Sequence, residues 1–326
     1  MKAISVHEYG GPEVLQYEDK ELKKPGPGQV LLQIKAIGVN FVDIYFRKGY
    51  YPSDRPYTPG WEGSGIVEAV GEGVLAVGVG DRVAFVQACG SYAENCLVEA
   101  DRLIPLPDDL SFEQGAAFPL QGMTAHYLLH EFRQPKAGDV VLIHAAAGGM
   151  GLLLVQWAKQ LGAQVFGTVS TKEKAKLAKE AGAEKVILYT EKDFAQEIKS
   201  FTNDHGADLI LDGVGKTTFQ GNLEAAAIRG DIVIYGAASG PADPIQPNSL
   251  MARSLSIHGG HLNNFTLTRE EMLGRAKSVM AGLRQGWLTL KIDHVLPLSQ
   301  ASEAHRLLEN RQTSGKIILT TENSNK

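Results

Sequence analysis

The hydrophobic and polar positions follow two different patterns along this chain. Up to about residue 122, short apolar runs are separated by glycine and proline, and between Val30 and Ala36 every even-numbered residue is apolar. A period of two residues predicts a β-strand. Many short strands divided by such turns predict a closed or partly closed barrel. A helix predicted over Phe112–Leu129 leads into the next part of the chain.

From about residue 123 to residue 263, β-branched apolar runs alternate with amphipathic stretches. This alternation predicts right-handed βαβ units and a doubly wound parallel sheet of the Rossmann type, an α/β fold. Strands are predicted at 140–144, 164–168, 185–188, 208–212, 231–235 and 254–258. The segment 264–326 has helix patterns at 269–288 and 301–308 and strand patterns near Val295 and at 316–319. It is too short for a core of its own, so we expect it to complete the first domain, 1–122.

A glycine-rich turn lies between the strand predicted at Val140–Ile143 and a helix predicted at Leu152–Leu161. Within it, Ala146, Gly148 and Gly151 have the spacing of the dinucleotide-binding fingerprint. A helix N-terminus offers unpaired N–H groups, and missing side chains let a pyrophosphate approach the backbone. The turn therefore predicts a pyrophosphate site at Ala147, Gly148, Gly149 and Met150. The alternative is that these glycines serve only a tight packing turn.

The end of the second strand of this sheet indicates which dinucleotide is bound. An acidic residue at this position would bind the ribose 2′-hydroxyl of NAD. The chain instead has Gly-Thr-Val-Ser-Thr-Lys-Glu-Lys, in which Ser170 and Lys174 are able to donate to a 2′-phosphate. Glu173 falls in the first turn of the next helix, where an acid is ordinary. This pattern favours NADPH, the alternative being that Lys174 is only a solvated helix residue.

Composition and charge exclude several classes of function. The 326 residues carry a formal net charge of −5 with acids and bases mixed along the chain, which provides no basic face for nucleic acid or membrane binding. The two cysteines, Cys89 and Cys96, do not form a disulfide framework. Neither a leader-like apolar segment nor a run long enough to cross a bilayer is visible, so we expect a cytoplasmic protein.

Several motifs in order resemble the medium-chain dehydrogenase/reductase superfamily, and within it the zinc-independent, zeta-crystallin-like NADPH:quinone oxidoreductases. They are Gly10-Gly11-Pro12-Glu13-Val14-Leu15, Gly38-Val39-Asn40-Phe41-Val42-Asp43-Ile44-Tyr45, Gly80-Asp81-Arg82-Val83 and Ala145-Ala146-Ala147-Gly148-Gly149-Met150-Gly151. The resemblance runs nearly end to end. It implies a GroES-like, β-barrel-type catalytic domain (1–122), an NADP-binding Rossmann domain (123–263) and a return segment (264–326) that completes the catalytic domain.

The resemblance also bears on metal binding. Zinc-dependent relatives have a cysteine and a histidine ligand where this chain has Asn40 and Trp61, and neither an amide nor an indole suits zinc there. The structural zinc lobe of such relatives needs four cysteines, and this chain has two. We therefore predict no metal. Trp61 also departs from the smaller residue usual in this group, and we expect it to narrow the substrate space.

The resemblance implies a set of site residues. On the substrate side it implies Asn40, Tyr45 and Tyr51, and along NADPH it implies Asn40, Thr124, Ser170, Lys174, Tyr189, Gly236, Ser239, Asn264 and Arg311 besides the glycine turn. Alternatives stay open: Tyr45 and Tyr51 as wall aromatics and Asn40 as a turn residue. We interpret His144 as a packed, hydrogen-bonded histidine.

These observations predict an NADPH-dependent quinone reductase, because an electron-poor quinone accepts hydride without a Lewis acid. A reductase of α,β-unsaturated carbonyls on the same scaffold is the nearest alternative, since both reactions deliver hydride to a conjugated acceptor. A cofactor-binding or RNA-binding crystallin-like protein without important catalysis is the other, and the acidic balance disfavours RNA as its main partner. The resemblance further implies a homodimer formed through the cofactor domain.

Overall fold

The computed structural model describes residues 1–88 and 90–321, which fall into two units. Unit 1 contains Met1–Gln121, Leu267–Ala276 and the described part of Leu290–Lys326, and unit 2 contains Gly122–Thr266 and Lys277–Thr289. The segment 264–326 therefore contributes to both units. Cys89 lies outside the described residues. Within the described ranges, no helix is both long and apolar enough to cross a membrane.

Unit 2 is built on a six-stranded parallel sheet. Its strands are β8 (Val140–Ile143), β9 (Gln164–Val169), β10 (Lys185–Leu188), β11 (Ala207–Asp212), β12 (Ala226–Ile234) and β13 (Ser256–Gly259), and its order is β10-β9-β8-β11-β12-β13. The helices between them are α4 (Gly149–Gln160), α5 (Lys172–Ala181), α6 (Phe194–Phe201) and α7 (Phe219–Ala225). This is the strand order of the dinucleotide-binding fold, so the predicted Rossmann sheet is confirmed.

The central strands of this sheet are apolar because helices cover them. All four residues of β8 are buried, and β9 and β11 are buried over most of their length. Helix α5 begins at its N-cap Thr171, whose hydroxyl accepts from the Lys174 amide, and ends at Gly182 with a φ of 119°. The Thr171 cap fixes where α5 begins after β9, and the predicted 2′-phosphate site lies at this junction. The Gly182 cap fixes where α5 ends.

Unit 1 is β-rich. Its strands are β1 (Lys2–Val6), β2 (Leu15–Asp19), β3 (Gln29–Val39), β4 (Glu62–Val70), β5 (Arg82–Val86), β6 (Asn95–Glu99), β7 (Leu103–Pro105), β14 (Ile292–Pro297) and β15 (Lys316–Thr320), and its helices are α1 (Phe41–Arg47), α2 (Phe112–Ala117) and α9 (Ala301–Glu309). The main sheet has the order β14-β15-β3-β4-β5-β7, with β6 also paired to β3. The antiparallel partners of β3 are β4 along one edge and β6 and then β15 along the other.

The period-two pattern at Val30–Ala36 predicts a strand, and the structure has β3 there. Most of β3 is buried, Lys35 included, because α2 packs beside it and its two edges are covered. The core on this sheet includes Val30, Leu32, Ile34 and Ile37. Strand β15, although near the end of the sequence, lies next to β3, which brings Lys316 close to residues near position 40.

Helix α4 begins three residues before the predicted Leu152, and two other predicted helices differ more. The helix predicted over Phe112–Leu129 is broken: α2 ends at Ala117, α3 (Pro119–Tyr127) begins at a proline that has no N–H to continue the ladder, and a π-helical turn follows at Leu128–Phe132. Helix α8 (Arg269–Arg284) stops four residues before the predicted end, ahead of Gly286, whose φ is 76°.

Candidate active site

The turn between β8 and α4 has the geometry of an anion-binding helix N-terminus. Gly148 is the N-cap of α4, and the amides of the first helical turn lack intrahelical acceptors. A Cβ on Gly151 would lie 2.2 Å from the Ala145 carbonyl oxygen, so only glycine fits. Ala145 itself has a φ of 50°, which turns the chain sharply out of the sheet. Ala147 is buried behind the turn, whereas Gly149 and Met150 are partly exposed.

The end of β9 places three predicted 2′-phosphate residues in one region of unit 2. Ser170 follows β9 directly, Lys174 lies in the first turn of α5, and Tyr189 follows β10, with its amide bonded to the Val169 carbonyl. Ser170 and Lys174 are half-buried and Tyr189 is exposed. The Thr190 hydroxyl donates to the Ser170 carbonyl at 3.2 Å, which ties the two strand ends together.

The other predicted cofactor residues are more scattered. Thr124 is buried on α3, Gly236 and Ser239 follow β12, and Asn264 is exposed in a short 3₁₀ turn. The Ser239 hydroxyl donates to the Val214 carbonyl at 2.8 Å, which joins the loop after β12 to the loop after β11. Arg311 is exposed in unit 1, in the turn after α9.

Asn40 belongs to a buried polar triad with Glu62 and Lys316 in unit 1. The Lys316 ammonium donates to Asn40 Oδ1 at 2.7 Å and also to Glu62 Oε1. Asn40 Nδ2 donates to Glu62 Oε1 at 2.7 Å and approaches the Gly38 carbonyl at 3.3 Å. Because an ammonium only donates and a carboxylate only accepts, this arrangement fixes the orientation of the Asn40 amide. Both of its N–H groups are used within the protein, and its Oδ1 accepts the Lys316 ammonium.

A second buried network of hydrogen bonds begins at Arg47, about two turns after Asn40 at the end of α1. Arg47 donates to His305 Nδ1 at 3.1 Å, so His305 is neutral there and its Nε2–H donates to the Tyr92 oxygen at 3.0 Å. The Tyr92 hydroxyl donates in turn to Asp43 Oδ2 at 3.2 Å. Asp43 Oδ2 also accepts from the backbone N–H of Asn40 at 2.8 Å, which joins this hydrogen-bond network to Asn40. Within residues 1–88 and 90–321, Asp43 Oδ1 has no hydrogen-bond partner.

Burial is the main cause of the pKa shifts in this second hydrogen-bond network. It raises the pKa of Asp43 to about 7, against the smaller opposing effect of the Asn40 amide. Burial, together with the positive charge of Arg47, lowers the pKa of His305 to about 3. Burial and the neighbouring Asp43 raise the pKa of Tyr92 well above its ordinary value. His305 is therefore neutral at physiological pH, in agreement with the direction of its hydrogen bonds.

Partly exposed aromatic rings line the other side of α1. The Tyr45 and Tyr51 rings meet edge to face with centroids 5.9 Å apart, Phe46 lies 5.3 Å from Tyr51, and Trp61 lies 4.9 Å from Phe46. We call Tyr45, Phe46, Tyr51 and Trp61 the aromatic wall. Tyr50 extends it from Tyr45. Trp61 precedes Glu62 in the chain, so the wall and the Asn40 triad are built from the same two segments.

The donor set around Asn40 does not fit a zinc ion. The Glu62 carboxylate and Asn40 Oδ1 already accept the Lys316 ammonium, so these oxygens bind a cation that belongs to the protein. Across the described ranges, no group of three or more histidine, cysteine or acidic side chains is arranged to hold a metal ion. His126 and His130 stack on each other with centroids 4.4 Å apart on the helical segment before β8.

Sequence reasoning missed most of the charged groups near Asn40. Lys316 is separated from Asn40 by 276 positions, and His305 is separated from Tyr92 by 213. Two signals were present in the sequence. Asn40 and Asp43 have the three-residue spacing of a helix-capping pair. Lys316 is the first residue of a strand that is apolar from Ile317 to Leu319.

Two families match the chain. Residues 26–108 match the alcohol dehydrogenase GroES-like domain, and residues 149–278 match the zinc-binding dehydrogenase family. A quinone oxidoreductase of Pseudomonas aeruginosa is 39% identical over 98% of this chain and 99% of its own length. A 2-haloacrylate reductase of Burkholderia is 41% identical over 97% of this chain and 98% of its own length.

Solved structures agree with these matches. The crystal structure of Escherichia coli quinone oxidoreductase complexed with NADPH is 37% identical, covers 98% of this chain and 100% of its own, and superposes with a TM-score of 0.96. The likeness therefore includes both units of the chain and extends over its whole length.

Proposed function

This chain belongs to the quinone oxidoreductase family of the medium-chain dehydrogenases/reductases, and from this premise we propose that it reduces quinones with NADPH and without a metal ion. The carrying observation is the aromatic wall, which is built from the same two segments as Asn40 and Glu62. The Lys316 ammonium is paired with Glu62, and Glu309 is shared by Arg47 and Lys48. A surface of several aromatic rings favours a planar acceptor over a small carboxylate.

Unit 2 holds the cofactor in this proposal. The N-terminus of α4 and the glycine turn take the pyrophosphate, Ser170 and Lys174 take the 2′-phosphate, and Tyr189 lies against the adenosine ribose. Thr124, Gly236, Ser239 and Asn264 follow the cofactor toward its nicotinamide. The tight approach at Gly151 supports this assignment, because a side chain there would collide with the turn. When bound, NADPH supplies the hydride.

Unit 1 holds the acceptor. The aromatic wall orients a flat ring, and Asn40 is held rigid by Lys316 and Glu62. Hydride addition turns one quinone carbonyl oxygen into an oxyanion, which must gain a proton to give the hydroquinone. Tyr51 provides that proton in our proposal, because its ring is fixed by Tyr45 and Phe46 while its side chain is partly exposed and able to regain a proton from water.

An acceptor profile tests the proposal. With saturating NADPH, we expect kcat/KM to be highest for 9,10-phenanthrenequinone, lower for 1,4-benzoquinone, and lowest for 2-chloroacrylate and a simple alkenone. Trp61→Leu removes one ring of the wall and should lower kcat/KM for phenanthrenequinone about three- to tenfold. Trp287→Leu, whose ring packs on Trp157 in unit 2, is the matched control and should leave the acceptor order unchanged.

The second candidate is reduction of an activated alkene, and the observation that favours it is the 41% identity to a 2-haloacrylate reductase. That reaction would need a cation for the substrate carboxylate. Faster turnover of 2-chloroacrylate or the alkenone than of either quinone would establish this candidate in place of the first.

We also propose a homodimer formed through unit 2. Strand β13 ends the parallel sheet and is bonded to β12 on one side only, within the described residues. A second copy could pair along that edge. Sedimentation velocity at micromolar concentration should give a dimer of about 70 kDa from the 35.2 kDa chain. A monomer would refute this part.

A further inference from the structure

A buried row of polar side chains crosses the carboxyl ends of three strands in unit 2. His144 follows β8, Thr168 lies near the end of β9, and Asp212 ends β11. Asn222 of α7 is hydrogen-bonded to both His144 and Asp212. All four side chains are at most 2% exposed. Neither the hydride transfer nor the proton transfer proposed above uses them.

The hydrogen bonds of this row have a single consistent direction. Asn222 Nδ2 donates to Asp212 Oδ2 at 2.6 Å, so its carbonyl oxygen is the acceptor for His144 Nε2–H, also at 2.6 Å. His144 Nδ1 is then the acceptor for the Thr168 hydroxyl at 2.9 Å. Burial lowers the pKa of His144, which keeps the ring neutral as this arrangement requires. The interpretation of His144 as a packed, hydrogen-bonded histidine is confirmed.

Each end of the row is attached to a segment proposed to touch the cofactor. His144 is directly followed by the glycine turn, and the Ala146 amide donates to the Thr168 carbonyl at 3.0 Å. At the other end, Asp212 Oδ1 accepts from the amides of Val214 and Gly215 at 2.7 and 3.1 Å. The Val214 carbonyl in turn accepts from Ser239. The row therefore connects the pyrophosphate turn, the end of β9 and the loop after β12.

We propose that His144 is a positioning residue of the dinucleotide site, which holds the glycine turn in register with β9 and with the loop after β11. It acts through the backbone of the turn and does not touch the cofactor. The inference rests on the proposed NADPH site. Since the turn binds the pyrophosphate common to both cofactors, loosening the row should weaken NADPH and NADH equally, unlike a change at the 2′-phosphate.

The test removes the hydrogen bond between Thr168 and His144 while keeping the shape of the side chain at position 168. Thr168→Val replaces the hydroxyl by a methyl group and leaves His144 Nδ1 without a donor, and Thr168→Ser keeps the hydroxyl. Calorimetric titration of the folded, full-length protein should show Kd for NADPH and for NADH raised about tenfold in T168V and restored in T168S. KM for NADPH should rise in parallel, while kcat falls by less than twofold and the quinone KM stays constant. Thr168→Ala removes the same hydroxyl and serves if T168V does not fold.

The possible outcomes separate the two proposals. A wild-type protein that does not bind NADPH would overturn the proposed function. Wild-type binding with unchanged affinities in T168V and T168A would overturn only the role of His144. Equal weakening in T168V and T168S would do the same, because the hydroxyl would not be the cause. A loss of active fraction with normal Kd would show that the row only stabilises the fold, which also contradicts the proposal.

Discussion

Replacing Lys316 with methionine should destabilise unit 1 far more than the same change at an exposed lysine. The Lys316 and Glu62 side chains are 3% and 0% exposed. Removing one partner of a buried ion pair leaves the other charge uncompensated, which costs about 3–5 kcal/mol. Glu62 keeps the amide groups of Asn40 and Leu120 as donors at 2.7 Å each, so we expect a loss of about 3 kcal/mol, at the low end.

Lys2 provides the matched control. Its ammonium lies 2.8 Å from Asp19, but the two side chains are 41% and 78% exposed. Water screens exposed ion pairs, so Lys2→Met should change stability little. The double variant Lys316→Met/Glu62→Gln removes both buried charges and should recover more than half of the loss caused by Lys316→Met alone.

Urea unfolding followed by tryptophan fluorescence measures these effects. Of the three tryptophans, Trp61 belongs to unit 1, so a Trp157→Phe/Trp287→Phe background reports that unit. With an m-value of about 2 kcal/mol/M, Lys316→Met should shift the midpoint by about 1.5 M. The buried-pair reasoning would be refuted if Lys316→Met shifted the urea midpoint no more than Lys2→Met does. It would also be refuted if the double variant lost at least as much stability as the two single variants together.

Three further predictions concern Asp43, the proposed 2′-phosphate residues and the glycine turn. Burial raises the pKa of Asp43 to about 7 from an ordinary 3.8. Between pH 3.8 and pH 7 the folded state therefore keeps the Asp43 proton that the unfolded state releases, and the wild-type protein loses stability as the pH rises through this range. Asp43→Asn should therefore gain stability over wild type from pH 4 to pH 7 and hold a constant advantage above it, as measured by denaturation at each pH; a difference independent of pH contradicts this. Lys174→Met should raise Kd for NADPH about tenfold without changing Kd for NADH, and Ser170→Asp should shift the preference toward NADH; equal effects on both cofactors in titration would remove the 2′-phosphate assignment. Gly151→Ala puts a Cβ 2.2 Å from a backbone oxygen, against 3.2 Å for Gly148→Ala, so its thermal midpoint should be clearly the lower of the two, and equal midpoints would show that the turn adapts.

The parallel sheet was predictable because its signal is local. Strands buried on both faces are continuous apolar runs, and the glycine turn and caps mark where each helix begins. The broken helix around Pro119 carried a local signal as well, since proline cannot continue a helical ladder. In β3, by contrast, the alternation predicted the strand but not the burial of Lys35. That residue is buried because α2 packs beside the strand and both strand edges are paired.

The polar networks were not predictable from local pattern. Lys316 meets Asn40 only because β15 pairs with β3, and Tyr92 meets His305 only because α9 returns to unit 1. Lysine and aspartate are ordinary surface residues by type, so burial had to come from the fold. Asn40 illustrates the consequence. The sequence suggested a substrate contact or a turn residue, and the structure shows an amide whose N–H groups are committed to Glu62 and Gly38.

The central claim is that this protein transfers hydride from NADPH to a planar quinone. Anaerobic stopped-flow measurement of NADPH oxidation by 9,10-phenanthrenequinone, with NADH in parallel, tests it most directly. We predict rapid oxidation of NADPH in a single turnover, slower oxidation at equal concentrations of NADH, and one hydroquinone formed for each cofactor consumed. Tight NADPH binding without quinone-dependent oxidation would contradict the claim.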